Sequence, residues 1–230
     1  MEITLIGQST LMIKTSGVSI MTDPWWGSFE FLRGVPLTVD PEKIDPIDLM
    51  LVSHNHVDHW CSRAVELAAD REIPVIGSVK AARRARRGGV KNVTSLKPGD
   101  SCKFRGLVVH ATPATHPFAR DAVGFVVEGE ECFYFSGDTR YDGEIVKFLE
   151  GFDLDCVFLQ SAASTYPLVG KDGMELEDAA RLVKEVGPKV TVPIHFQVKG
   201  KTVDTETLSK WKVTSRLVVP EHGKTVEIFF

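Results

Sequence analysis

One short stretch, residues 53–59, constrains this chain more than any other, and its sequence is Ser-His-Asn-His-Val-Asp-His. It follows the apolar run Leu49–Val52, which predicts a buried strand. Because side chains alternate along a strand, the first two histidines should point to the same side, and the loop can turn Asp58 and His59 toward them. Four imidazole and carboxylate groups exceed the three protein ligands usual at one catalytic zinc. The stretch therefore predicts a pair of divalent metal ions where a strand ends.

Three further motifs follow along the chain, each after an apolar run that predicts a strand. They are Ala114-Thr115-His116, Ser136-Gly137-Asp138-Thr139 and Pro193-Ile194-His195. Together with residues 53–59, this ordered set resembles the signature motifs of the metallo-β-lactamase superfamily. Within that superfamily, the short chain and residues 174–179 are similar to the small zinc-dependent hydrolases grouped with the ascorbate-6-phosphate lactonases. Residues 53–59 also resemble the N-acyl phosphatidylethanolamine phospholipase D branch.

The resemblance implies an α/β (α+β) fold, a four-layered αββα sandwich with two metal ions at one edge between its sheets. The ligands implied for the first ion are His54, His56 and His116. Those implied for the second are Asp58, His59 and His195, with Asp138 bridging both ions. Asp58 would also act in catalysis by orienting the nucleophile, a hydroxide shared by the metals. Imidazole and carboxylate ligands suit Zn²⁺, the ion expected first, and also suit Mn²⁺ or Fe²⁺.

The function implied is that of a binuclear metal-dependent hydrolase, which cleaves an ester, lactone or phosphodiester bond of a small-molecule substrate with the metal-bridging hydroxide. One alternative is a phosphodiesterase acting on nucleic acid or phospholipid. Another is a mononuclear iron oxygenase, as in the persulfide dioxygenases of the same superfamily. The complete set of seven ligands favours two metals over one. A net charge of −4 disfavours nucleic acid as a partner.

Length and composition limit the number of domains and the cellular location of the protein. A chain of 230 residues predicts one domain, spanning residues 1–230. No run approaches the roughly 18 apolar residues of a membrane span, and the first residues enter a strand-like alternation instead of a secretory signal. The four cysteines are scattered and fit neither a zinc ribbon nor a disulfide scaffold. These features predict a cytoplasmic protein, and they leave open whether it is a homo-oligomer.

The periodicity of apolar residues predicts the elements around the motifs. Short strands are expected at residues 2–6, 11–15 and 18–22, and the β-rich segments between residues 93 and 136 are expected to be antiparallel neighbours. Helices are expected at residues 62–69, 78–87, 141–150, 175–186 and 204–211.

Several other side chains are candidates for the site. By resemblance, Asp23 lies behind the metals, where a carboxylate that accepts a ligand histidine's N–H fixes its tautomer, although a plain turn before proline fits equally well. The long loop at residues 24–46 carries Trp25 and Trp26, which would close over an apolar part of the substrate, pack as a flap or form an oligomer contact. Tyr166 is another candidate substrate contact, as is His222, for which an exposed turn is the alternative.

Two features have competing interpretations. Lys80, Arg83, Arg84, Arg87 and Lys91 fall on one face of the helix predicted at residues 78–87. Such a stripe attracts phosphate or an acidic partner, or is simply a solvated surface. His110 competes with His116 as a ligand, but His116 holds the position after the strand that the motif uses.

Overall fold

The computed structural model describes residues 1–197 and 203–230. In chain order its strands are β1 (Glu2–Gly7), β2 (Thr10–Thr15), β3 (Val18–Thr22), β4 (Leu49–Val52), β5 (Val75–Gly77), β6 (Val93–Ser95), β7 (Ser101–Phe104), β8 (Leu107–Thr112), β9 (Gly124–Glu128), β10 (Cys132–Phe135), β11 (Cys156–Gln160), β12 (Thr165–Tyr166), β13 (Gly170–Lys171), β14 (Val190–Ile194), β15 (Arg216–Leu217) and β16 (Thr225–Glu227). The α-helices are α1 (Ser62–Asp70), α2 (Val79–Arg87), α3 (Gly143–Leu149), α4 (Leu176–Val186) and α5 (Thr205–Ser209). Two 3₁₀ turns, Glu30–Leu32 and Pro41–Lys43, interrupt the long loop after β3.

Most of the strands form two seven-stranded sheets. The first has the order β16-β1-β2-β3-β4-β5-β6, and the second has the order β15-β14-β11-β10-β9-β8-β7. Each sheet has an antiparallel part, β16 and β1 to β3 in the first and β7 to β10 in the second, and continues with parallel pairs. Parallel neighbours need long crossover connections, and the helices α1 to α4 lie in those connections. β12 and β13 form a separate hairpin.

Three hydrophobic clusters show how the layers stack. In β4, Leu49 and Leu51 belong to the cluster shared by the two sheets, while Met50 and Val52 face the cluster that includes α1 and α2. In β10 the alternation repeats, and Tyr134 lies in the cluster with α3 and α4. Strands buried on both faces give the continuous apolar runs seen in the sequence. The order is therefore helices, sheet, sheet, helices, which confirms the predicted four-layered αββα sandwich.

The predicted elements are confirmed with small shifts at their ends, and one pairing prediction was wrong. β6 was expected to join the antiparallel segments that follow it, but it pairs in parallel with β5 at the edge of the first sheet. The reason is that α2 returns the chain across this sheet before β6, so the change of sheet comes only at the turn before β7.

Cys61 shows how the metal loop leads into α1. Its thiol sulfur accepts hydrogen bonds from the backbone N–H groups of Trp26, at 3.3 Å, and Ala64, at 3.4 Å. The cysteine is therefore the N-cap of the helix.

Among the helices in the described part of the chain, none is long and apolar enough to cross a membrane.

Candidate metal centre

The candidate ligands lie together because they follow strands that run in one direction. In the first sheet β1, β3 and β4 share a direction, and in the second β8, β10 and β14 do. Each of these six strands is followed within four residues by a side chain of the site: Gln8, Asp23, His54, His116, Asp138 and His195. The carboxyl ends of the strands thus form one rim between the sheets, and β4 also leads into the loop that carries His56, Asp58 and His59.

The first group of candidate ligands consists of three imidazoles. His56 Nδ1 is 2.9 Å from His54 Nε2 and 3.3 Å from His116 Nε2, and these residues form a cluster suited to a metal ion. Behind them, His54 Nδ1 is 2.9 Å from the Ser53 hydroxyl oxygen, and His116 Nδ1 donates to the carbonyl oxygen of Asp172 at 2.8 Å. A neutral imidazole that donates from Nδ1 leaves a lone pair on Nε2, so these contacts fix the tautomer that binds a metal.

The second group mixes a carboxylate with two imidazoles. Asp58 Oδ2 lies 3.8 Å from His59 Nε2 and 4.0 Å from His195 Nε2, and these three form another cluster suited to a metal. Asp138 Oδ2 lies 3.2 Å from His59 Nε2 and 3.3 Å from His195 Nε2. Gly137 makes this approach possible, since it has φ of +54° and a Cβ there would lie 2.5 Å from Cβ of Ser53.

Some buried nitrogen and oxygen atoms of the site form no hydrogen bond in the described part of the chain and could instead bind a divalent cation. His59 Nε2 and Asp138 Oδ1 are buried, and neither has a hydrogen bond of acceptable geometry within the described residues. Buried polar atoms are normally paired, so their convergence around one space fits a bound cation. The residues therefore fit a bound divalent cation, and the two groups differ in that the first is purely imidazole and the second is richer in oxygen.

Asp23 lies behind the second group, fully buried, with φ of +36°. Its Oδ2 is 2.7 Å from His59 Nδ1 and accepts from the Ser53 hydroxyl at 2.6 Å, while its Oδ1 accepts from the Ser53 backbone N–H at 2.7 Å. Asp23 can also be grouped with His54 and His59 around a single ion. Both of its oxygens are already engaged, and its contact with His59 Nδ1 leaves His59 Nε2 facing Asp58 and Asp138.

Burial and charge set the protonation of the site. Burial and the neighbouring His59 lower the pKa of both His54 and His56, which favours the neutral form that binds metals. Burial alone would lower the pKa of His59 too, but Asp138, Asp58 and Asp23 outweigh it and raise that pKa well above the ordinary value. Burial opposes ionisation of Asp138, yet His195 and His59 hold its pKa well below the usual range.

Gln8 is a residue of the site that the sequence analysis did not single out. Its side-chain Nε2 lies 2.9 Å from Asp58 Oδ2 and 2.8 Å from His195 Nε2, and its carbonyl oxygen accepts from the His195 backbone N–H at 3.0 Å. It is buried and has φ of +52°. The signal that would have found it is its position directly after β1, whose direction matches that of β3 and β4.

The predicted tryptophan contacts need correction. Trp25 and Trp26 are buried, at 0% and 4% exposure, in the cluster beneath α1, because their aromatic surface packs against the helical layer. The exposed aromatic side chains of their loop are Phe29 and Phe31. This burial fits the packed flap, one of the three interpretations of the loop, and does not fit a substrate contact through either tryptophan.

The other candidates divide by position. Tyr166 is exposed on the β12–β13 hairpin, with its ring 4.8 Å from that of Phe118, which in turn lies 6.0 Å from the His116 ring. His222 is half-buried, with its ring 6.3 Å from that of Phe196. His110 is away from both ligand groups and pairs with Glu128 at 2.6 Å.

The basic stripe lies in the outer layer formed by α2. Lys80 pairs with Asp121, Lys91 pairs with Glu72, and Arg84 donates to Ser62. These contacts partly neutralise the stripe and fit a solvated surface.

Comparisons with known proteins agree with this geometry. A beta-lactamase superfamily domain matches residues 19–196. A UPF0173 metal-dependent hydrolase of Methanopyrus kandleri is 30% identical over 208 residues, which cover 85% of this chain and 84% of the relative. The isothiocyanate hydrolase from Delia radicum gut bacteria is 24% identical, with a TM-score of 0.83 and 99% of each chain covered. Igni18, a metallo hydrolase from Ignicoccus hospitalis, is 22% identical, with a TM-score of 0.82, covering 100% of this chain and 98% of Igni18.

At this level of identity the two solved structures show a shared fold. The domain match and the archaeal relative go further and confirm the superfamily indicated by the motifs. The chain therefore belongs to the metallo-β-lactamase superfamily, in the family of UPF0173 metal-dependent hydrolases.

Proposed function

We propose that the protein is a binuclear metal-dependent hydrolase that cleaves an ester, lactone or phosphodiester bond in a small molecule. The observation that carries this proposal is the pair of adjacent candidate ligand groups. Asp138 contacts His59 and His195 through one oxygen, while its other oxygen has no hydrogen-bond partner among the described residues. A carboxylate with one engaged and one free oxygen suits a bridge between two ions.

Divalent ions in these two groups would supply Lewis acidity and a hydroxide nucleophile near neutral pH. The protein's own contribution is orientation and charge. Asp58 Oδ2 accepts a hydrogen bond from Gln8, so the Asp58 carboxylate has a fixed direction from which to orient the attacking water. Neutral imidazoles at His54 and His56 would leave the first ion strongly electrophilic.

An exposed apolar surface beside the first group is suited to contact the substrate. Phe118, Tyr166 and Val169 are exposed there, and Leu168 at the hairpin tip is fully exposed. The hairpin is held to the site because the Arg140 guanidinium donates to the carbonyl oxygens of Val169 and Lys171. Apolar side chains next to a polar reaction centre are typical of small-molecule sites. We propose that this apolar surface contacts the part of the substrate outside the scissile bond.

We expect Zn²⁺ as the native ion, with Mn²⁺ or Fe²⁺ as alternatives, because imidazole and carboxylate ligands suit all three. The resemblance to the ascorbate-6-phosphate lactonases makes lactones the first substrates to try. We also place the enzyme in the cytoplasm, in keeping with its free cysteines.

The test is a hydrolysis screen of metal-loaded protein against p-nitrophenyl esters, lactones, bis-p-nitrophenyl phosphate and isothiocyanates, the last because of the related isothiocyanate hydrolase. We expect turnover that is lost on chelation and restored by added metal. Asp138→Ala should reduce it by more than the roughly 100-fold that loss of a residue supporting a ligand costs. Asp153→Ala, an exposed carboxylate outside the site, is the matched control. A protein that holds one tightly bound iron and hydrolyses none of these compounds would contradict the proposal and favour the oxygenase.

A further inference from the structure

A guanidinium without an acidic partner lies in the loop between β3 and β4. Arg33 is half-buried, with its guanidinium carbon 3.9 Å from the centre of the Trp25 ring and its Nη2 donating to the Trp25 carbonyl oxygen. Its Nε is buried and has no hydrogen-bond partner in the part of the chain that the structure describes. Among residues 1–197 and 203–230, no carboxylate oxygen lies within 4.0 Å of it to form a salt bridge.

This arrangement is costly unless an anion completes it. Arginine keeps its proton in proteins, so it cannot escape burial by becoming neutral. Burial lowers the pKa of Arg33, and the carboxylates of Glu30 and Asp58 act in the opposite direction only from a distance. Buried charges are otherwise found paired. A missing counter-charge therefore points to a ligand.

Arg33 packs against chain segments that adjoin the second ligand group. A Cβ on Gly7 would be 2.6 Å from Arg33 Nη1, so the guanidinium packs directly against the backbone of Gly7. The next residue, Gln8, contacts both Asp58 and His195. On the other side, the Gly34 N–H donates to the Gln197 carbonyl oxygen at 2.8 Å, two residues beyond His195.

The surroundings offer little other negative charge. Burial and Arg33 lower the pKa of His222, which keeps that neighbour neutral without supplying an anion. Asp58 is the carboxylate that a metal in the second group would neutralise. Glu30 is exposed, its Oε1 accepts from the Gly27 N–H at 2.9 Å, and it acts on Arg33 without forming an ion pair with it. An anion from outside the described side chains would therefore complete the pairing of Arg33.

We propose that Arg33 binds an oxyanion, a carboxylate or phosphate group carried by the substrate, while the bond to be cleaved lies at the metal centre. This inference rests on the proposed hydrolase function and narrows its substrates to anionic ones. The planar guanidinium suits such a group because it offers several N–H donors in a fixed arrangement.

A matched pair of esters tests this directly: p-nitrophenyl hydrogen glutarate, which carries a carboxylate, and p-nitrophenyl butyrate, which is neutral. The wild-type enzyme should prefer the anionic ester in kcat/KM. Arg33→Met should reduce that preference about tenfold or more, through KM and with kcat nearly unchanged, because a hydrogen bond to a charged group is lost. Arg33→Lys should keep part of the preference.

Arg71→Met is the matched control, since Arg71 is an exposed arginine that donates to the loop carbonyl oxygens of Ile44 and Glu42. It should leave the preference unchanged. Thermal unfolding of each variant shows whether the fold is intact. An unchanged preference in folded Arg33→Met, or a wild-type enzyme that hydrolyses the neutral ester equally well, would overturn the assignment.

A binding measurement separates this inference from the proposed function. If neither ester is hydrolysed, the hydrolase proposal fails for these bonds, and calorimetric titration of the metal-loaded protein with inorganic phosphate then tests Arg33 alone. Binding at least about tenfold tighter to wild type than to Arg33→Met would support the site, because both proteins offer phosphate the same metals. Equal binding would reject it. If both esters are hydrolysed without a preference and phosphate still binds more tightly to wild type than to Arg33→Met, Arg33 binds a free ion and the substrate assignment is rejected.

Discussion

The two candidate ligand groups are built in different ways. The first group is made of imidazoles alone, and its two fixed members are held by single contacts: His54 by the neighbouring Ser53 and His116 by a carbonyl of the β12–β13 hairpin. The second group combines a carboxylate with imidazoles, and it depends on Asp23 and Gln8 from two other strands.

The two groups also differ in how many strand ends must come together to form them. The first group needs the ends of β4 and β8 to meet across the two sheets. The second needs four more strand ends, and three of its residues, Gln8, Asp23 and His195, have positive φ. Such backbone conformations persist only where the surrounding structure imposes them, and they concentrate at functional sites. The second group therefore depends on more strand ends and more unusual backbone conformations than the first.

Removing one imidazole from each group should produce the largest effect and test whether the groups are separate. His116→Ala should lose the first metal and keep the second, and His195→Ala should do the opposite, because Asp138 and the remaining ligands still serve the intact group. Each should lower metal affinity by more than about 100-fold at its own group. Metal titration followed by elemental analysis measures this, with His110→Ala, outside both groups, as the control. Loss of both metals in both variants would show a single cooperative unit.

Asp23→Asn should come next in size. The asparagine can still accept from Ser53, but it cannot offer His59 a charged acceptor, so His59 is less firmly oriented. We expect a roughly 10–100-fold loss of affinity confined to the second metal. Titration with a spectroscopically visible ion such as Co²⁺ reads the two groups separately. An equal loss at both groups would mean that Asp23 acts mainly through Ser53, whose hydroxyl also contacts His54.

Gln8→Ala should have a smaller effect. It removes the hydrogen bond that directs Asp58 and leaves every ligand in place, so kcat should fall about tenfold while two metals remain bound. Steady-state kinetics with parallel metal analysis test this. Wild-type kcat in a fully loaded variant would show that Asp58 needs no such support.

Tyr166→Ser should give the smallest change. Tyr166 itself lies on the side of the first group. Removing an exposed ring from the hairpin should raise KM a few-fold for esters with longer acyl chains and leave acetate esters unaffected, because about 0.8 kcal/mol is at stake for each buried methylene. A series of p-nitrophenyl esters of increasing chain length provides the readout. Phe31→Ser, an exposed aromatic in the other loop, is the control. An equal change for all chain lengths would place Tyr166 outside substrate recognition.

The sequence predicted the first group better than the surroundings of the second. Residues 53–59 follow a strand directly, so local alternation was enough to bring His54 and His56 together. The four layers followed from resemblance to the superfamily and are confirmed. Gln8 was missed because a glutamine in a turn has no local signature, and its role depends on where β1 ends in space.

For the tryptophans the sequence left several interpretations open. An aromatic-rich loop near a metal site suggests substrate contacts, but local sequence does not show which face of the loop is turned inward. Trp25 and Trp26 fill the space under α1, and Arg33 covers the Trp25 ring. The same packing gives Arg33 its partly buried position, which no sequence pattern indicated.

The number of metal ions bound per chain tests the central claim most directly. Protein purified without added metal, and then equilibrated with Zn²⁺ and freed of excess, should contain close to two equivalents by elemental analysis. Asp138→Ala should hold fewer and lose more than about 100-fold of its ester hydrolysis. One equivalent in the wild-type protein, with hydrolysis intact, would contradict the account of two cooperating ligand groups.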